Sequence, residues 1–175
     1  HHRLAWLFDR GQAPLPPDGD CEGMVLGLDG TLWLTGVDRL VRAGRVLGGI
    51  GWTGKSFDPA RGTGYNRLTA SSRIPMGMAM PRYEFSRIAG ELVGFHFDHQ
   101  REASPLSPHH DVLSIRYDRP AYGNPLVLPR TRDELVELVP HAYLGRALLL
   151  ERGRWQVVGY FALRYPVQQG VSRGR

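Results

Sequence analysis

Glycine and proline set the first limit on this fold. With 22 Gly and 13 Pro among 175 residues, the chain is cut into short segments, and a helix meets a residue that ends it before it can run far. What lies between the breaks is rich in β-branched and aromatic residues. Residues 22–28 and 31–35 flank Asp29-Gly30, a dipeptide suited to the positive φ angles of a tight hairpin turn. Further strand-like segments follow at 50–57, 64–73, 82–88, 91–99, 112–118, 142–151 and 154–164, with Ala89-Gly90 and Arg152-Gly153 as hairpin turns. Two short helices interrupt them. The first spans 37–47, with Val37, Leu40, Val41, Val46 and Leu47 at helical spacing. The second is opened by the capping-box pattern Thr131-Arg132-Asp133-Glu134 and closed by Pro140.

About nine antiparallel strands and two helices predict a mainly β (α+β) domain, closed into a barrel so that no long edge is left unpaired. The last segment is apolar on both faces, Trp155, Val157 and Phe161 on one and Val158, Tyr160 and Ala162 on the other. A strand wet on one side would not carry that pattern, so one face lines the interior and the other meets a helix or the N-terminal segment. The expected organisation is an N-terminal tether over 3–20, a single barrel domain over 21–167 and a C-terminal tail over 168–175. His1-His2 reads as a tag remnant.

Composition narrows the function classes. The hydrophobic fraction of 42% and charged fraction of 22% exclude wholesale disorder, and no apolar run approaches the roughly 20 residues of a membrane helix. A single cysteine, Cys21, cannot make an internal disulfide and suggests a reducing, cytoplasmic setting. The net charge is +5, yet the arginines do not cluster beyond Arg39, Arg42 and Arg45, which share one helical face. Nucleic acid is therefore not the expected partner. Among 22 basic residues the only lysine is Lys55. Against an arginine background, that position singles out a compact ammonium.

Gly49 to Ser56 spells G-x-x-x-x-G-K-S, the pattern of a phosphate-binding loop. The context is wrong for that chemistry: a helix precedes the loop, and Phe57-Asp58-Pro59 cannot open the helix whose N-terminus would bind phosphate. The same residues carry a different likeness. Trp52-Thr53-Gly54-Lys55-Ser56-Phe57, with Tyr143-Leu144-Gly145-Arg146 and Gly159-Tyr160-Phe161-Ala162-Leu163 near the C-terminus, resembles elements of the bacterial GXWXG-type proteins of uncharacterised function and of small lipocalin-like barrels. The resemblance implies a barrel rather than any particular activity.

Other constellations have plainer explanations. If 91–99 is a strand, His96 and Asp98 share its outer face, Phe95 and Phe97 take the core side, and His99 points away from His96. A metal site from His96, Asp98 and His110 would need the proline-rich loop 104–110 to fold back. No metal centre and no cofactor are expected. Cys21 has no histidine nearby, and Lys55 and Ser56 on one strand point apart, so neither supplies a nucleophile. Met76, Met78 and Met80 alternate into one soft apolar face.

The expected function is the binding of a small apolar or amphipathic, lipid-like molecule with an optional acidic head inside the barrel. Lys55 supplies the cationic contact, and Trp52, Phe57, Tyr117, Tyr143 and Phe161 supply the wall. An enzyme on the same barrel, performing proton-transfer isomerisation, cyclisation or hydrolysis, is the alternative. A nucleic-acid or protein-interaction module using the arginine-rich surface is the third reading.

Overall fold

The computed structural model describes residues 2–28, 51–73, 77, 80–125 and 128–166. The hairpin at Asp29-Gly30, the helix over 37–47 with its three arginines, Met76, Met78 and the tail over 168–175 lie outside the described residues. Within them the order is helix α1 (His2–Phe8), then β1 (Gly19–Leu28), β2 (Trp52–Asp58), β3 (Thr63–Leu68), β4 (Ser86–Ile88), β5 (Glu91–Ser104), β6 (Ser107–Arg116), β7 (Thr131–Val139), β8 (Ala142–Glu151) and β9 (Arg154–Arg164). All strand pairs are antiparallel. The order β3-β2-β1-β9-β8-β7-β6-β5 closes on itself through a β3–β5 pairing, giving an eight-stranded barrel with β4 added on β5.

Alternation along the strands divides the core in two. Facing inward are Cys21, Phe57, Leu68, Phe97, Leu113, Ile115, Leu135, Phe161 and Leu163, the centre of one apolar cluster. Facing outward are Val112, Val136, Leu144 and Tyr160, which α1 covers by inserting Phe8. Beneath α1 the fully buried Glu134 receives Arg146 at 2.8 Å and Arg132 at 3.2 Å, and the Arg146 guanidinium lies 4.1 Å from the centre of the Phe8 ring. The wall beneath α1 is thus apolar except for this ion network.

Three expectations differ from the structure. Residues 131–139 form strand β7 and not a capped helix. The capping pattern is overridden because both faces of the segment are wanted: Asp133 and Leu135 point into the barrel, while Arg132, Glu134 and Val136 point to the covered outer wall. Glu134 serves as an ion partner. In β9, Val157 does not share a face with Phe161. The register slips by one residue between the Ala147–Gly159 and Leu148–Val157 pairs, leaving Val158 as a bulge and turning Val157 outward beside Tyr160. The stretch 104–110, expected as a loop, is the tip of the β5–β6 hairpin. Ala89-Gly90 and Arg152-Gly153 are hairpin turns as expected, with positive φ at both positions.

Large rings fill much of the barrel because glycines opposite them leave room. A Cβ on Gly145 would come within 2.2 Å of the Phe161 ring, and one on Gly64 within 2.4 Å of Phe97. Gly145→Ala should therefore lower unfolding stability by about 1–3 kcal/mol in a urea titration. Adding Phe161→Leu should restore part of the loss if this ring contact is its origin.

Candidate functional site

Trp52 and Lys55 stand three positions apart and would point to opposite faces of a regular strand. They both point inward because β2 is bulged. Trp52 pairs with Leu68 while Gly54 pairs with Arg67, so Thr53 is the extra residue. Gly54 has φ of +141°, and a Cβ there would lie 1.9 Å from the Cys21 carbonyl oxygen. Only glycine fits. The W-x-G-K spacing thus encodes a bulge that brings an indole and an ammonium to the same side of the wall.

A second bulge faces it. Between the Gly64–Phe97 and Asn66–Gly94 pairs, β5 carries two residues, Phe95 and His96, against one on β3. Phe95 adopts a left-handed φ of 52°, and its backbone bonds leave the ladder: its N–H donates to Tyr83 Oη, and its carbonyl accepts from Asn66 Nδ2 at 3.0 Å. The bulge therefore orients Asn66.

Around Lys55 these elements build a closed set of polar contacts. The ammonium is 2% exposed and has three acceptors: Asn66 Oδ1 at 2.9 Å, Tyr117 Oη at 2.6 Å and Asp133 Oδ2 at 2.8 Å. Three donors meet three acceptors. Tyr117 in turn donates to Asp133 at 2.7 Å, and Trp52 Nε1 donates to Asn66 Oδ1 at 3.1 Å. The rings of Trp52, Phe97, Tyr117 and Phe161 surround the ammonium, with centroids 5.3–5.8 Å away. Burial pushes the Lys55 pKa below its ordinary value, against the upward pull of Asp133. Burial, reinforced by the Asp133 charge, holds the Tyr117 phenol well above its ordinary value and so keeps it protonated.

Of the side chains read from the sequence, Trp52, Lys55, Tyr117 and Phe161 come together here. Phe57 and Tyr143 also sit in the inner cluster, Phe57 edge-on to Phe97 with centroids 5.4 Å apart, and they extend the wall beyond the ammonium. Sequence reasoning missed Asp133 and Asn66, and gave Phe97 a core position without a place at this centre. Asp133 was assigned to a helix start, and the β-branched and leucine pattern of 135–139 was the signal that could have moved it to a strand. The expected lone cation is in fact one half of an ion pair.

The histidines divide as expected: His96 and Asp98 are on the outside of β5, and His99 is inside. His110 is on the other side of the barrel wall pattern, against Phe8 and 3.1 Å from the Gly11 carbonyl oxygen. Among the described residues, no three His, Cys, Asp or Glu side chains gather to hold a metal ion, and no helix is long and apolar enough to cross a membrane. Residues 52–58 are a strand, so the G-K-S pattern opens no helix. Comparison with protein families, curated proteins and solved structures finds no match to this chain. The geometry has to carry the functional reading.

Two tests follow from these contacts. Asp133→Leu leaves a buried ammonium without its counter-charge and should cost about 3–5 kcal/mol, whereas Lys55→Met combined with Asp133→Leu should recover most of that loss in chemical denaturation. The second concerns His99, which is 6% exposed and stands between Phe57 and Phe97. Burial lowers its pKa below the ordinary 6.5, outweighing the backbone carbonyls of Asp58 and Thr63. Protonation therefore favours the unfolded chain. The stability it contributes is full above 6.5 and is lost as the pH falls through the lowered folded-state value. Denaturation midpoints at pH values on either side of that window should drop on acidification, and less so in His99→Phe.

Proposed function

We propose that the barrel binds a small molecule with an apolar body and a neutral, hydrogen-bonding head, which docks at the Lys55–Asp133 centre. The observation that carries this reading is a complete ion-pair network inside an aromatic barrel. A buried pair is a poor device for stability alone, because apolar residues of similar volume often serve as well or better. Its value lies in recognition, where fixed donors and acceptors in an apolar setting select a head group strongly.

The ion pair also sets the sign of the head group. Lys55 and Asp133 cancel, so a carboxylate brought to Lys55 would also face the Asp133 carboxylate. A carbonyl, hydroxyl or amide meets no such repulsion and can exchange with one of the contacts that Lys55, Trp52, Asn66 and Asp133 make to one another. The acidic head considered from sequence alone is thus the weaker choice.

Isothermal titration with dodecanol and dodecanoate, which share a chain length, separates the possibilities. Dodecanol should bind saturably and dodecanoate at least about tenfold more weakly. The Lys55→Met/Asp133→Leu variant, with its fold checked by circular dichroism, should lose about tenfold of the dodecanol affinity. Failure of both probes to bind, or unchanged dodecanol affinity in the folded double variant, would overturn the reading.

A further inference from the structure

A separate cleft of about 630 Å³ lies on the outside of the barrel, where the outer faces of β2, β3 and β5 meet the 3-10 turn Pro120–Tyr122. It falls within the size range of small-molecule sites. Its floor includes Ser56 and Thr63, and one side is aromatic. The His96 ring lies 5.9 Å from Tyr65 at an interplanar angle of 65°, and 5.8 Å from Tyr122 at 34°. Three rings in this arrangement present both faces and edges to a planar guest.

The wall is held in place from below. Asp98 accepts from Tyr122 Oη at 2.7 Å and from Arg119 at 2.8 Å, and the Asn124 amide donates to the His96 carbonyl at 2.7 Å and to the Tyr117 carbonyl at 3.0 Å. The turn is therefore fixed against β5 with its aromatic and cationic groups already positioned. Burial lowers the His96 pKa from its ordinary value, so the ring stays neutral near pH 7 and available for stacking.

The lining sets Arg61 and Arg119 beside Asp18 and Asp58, with Asp98 beneath, so a guest's anion has to be taken up by the guanidinium donors that the carboxylates leave unused. Asp58 and Asp98 already have guanidinium partners. Arg119 gives one nitrogen to Asp98, leaving most of its five donors unused. Arg61 is 82% exposed and touches Asp58 only at 3.5 Å, a weak surface pair. Asp18, also on the lining, places a negative charge at the cleft and so limits how much anionic charge it accepts.

We infer that this cleft is a second binding site, for a planar aromatic ring carrying one anionic group: the ring rests on Tyr65, His96 and Tyr122, and the anion is held by Arg61 and Arg119. A phosphate or carboxylate suits the planar guanidinium donors, and arginine binds both through paired N–H groups. Simple aromatic acids and mononucleotides share this chemistry. A polyanionic strand does not, because Asp18 and the few free cations oppose it.

Titration with phenyl phosphate, adenosine monophosphate, inorganic phosphate and a single-stranded thymidine oligomer tests the site. Phenyl phosphate or the mononucleotide should bind saturably, and inorganic phosphate at least about tenfold more weakly, since ring stacking contributes that much or more. The tighter of the two ring compounds identifies which source of this chemistry the cleft prefers. Arg61→Gln, at an exposed turn position that should not disturb folding, should weaken the ring compounds about tenfold, and Tyr65→Leu should weaken them while sparing inorganic phosphate. The inference is overturned if neither ring compound binds, if inorganic phosphate binds equally well, or if both variants bind like the parent chain. An oligomer bound more tightly than the mononucleotide, with steep salt dependence, would overturn it in favour of nucleic-acid binding.

Discussion

The Lys55–Asp133 ion pair is the constraint around which the interior is arranged. A buried ammonium without partners would be too costly to keep charged, and each of its three N–H groups finds an acceptor supplied by a different strand or loop. Those acceptors need their own supports. Asn66 is oriented by the Phe95 carbonyl, which is available only because β5 bulges there. Trp52 shares Asn66 with Lys55 because β2 bulges at Thr53. The irregularities of these two strands are how the barrel delivers side chains to a point that regular alternation would miss.

Size follows from the same centre. Four rings stand around the ammonium, and glycine on a neighbouring strand is what admits three of them: Gly23 lies against Trp52, Gly64 against Phe97 and Gly145 against Phe161. A β-strand glycine ordinarily weakens its strand. Here each loss is offset by ring burial, and the alternation of large and absent side chains is how small barrels fill a tapering space. The outer wall solves a parallel problem differently. Its charges, Glu134 with Arg132 and Arg146 and Glu102 with Arg132, are paired in the wall itself, and Phe8 of α1 lies against Arg146. The inner pair is surrounded by aromatic rings, whereas the outer network lies between two strands of the wall and a helix.

The barrel was legible because closure is the economical end for many short antiparallel strands, and because two hairpin turns announced themselves as Ala89-Gly90 and Arg152-Gly153. Lys55 was legible because it alone departs from an arginine background. Trp52, Tyr117 and Phe161 were legible as aromatic residues able to stand inside. Asp133 was not, since local pattern and tertiary demand disagree over 131–139: Thr131 and Glu134 satisfy a helix-start pattern, and only the barrel requires both faces of that segment to be buried. Asn66 was hidden for another reason. Its role depends on the Phe95 bulge, and a bulge that carries a non-glycine residue at positive φ leaves no compositional mark. Val157 shows the same limit, since one extra residue at Val158 reverses every facing before it.

The connection over 117–124 relates the two candidate sites physically. Tyr117 enters the barrel to reach Lys55 and Asp133, while its carbonyl, two bonds from the same Cα, accepts from Asn124. Asn124 also binds the His96 carbonyl beneath the outer cleft, and five residues after Tyr117 the Tyr122 hydroxyl reaches Asp98 on the same strand. His96 itself belongs to the β5 bulge whose other residue, Phe95, fixes Asn66. A shift of this connection would therefore alter both the acceptor that Tyr117 offers inside and the ring that Tyr122 offers outside. Coupling of that kind needs two arrangements of the shared element with different free energies. The hydrogen bonds at Asp98 and Asn124 are the contacts that a second arrangement would have to exchange.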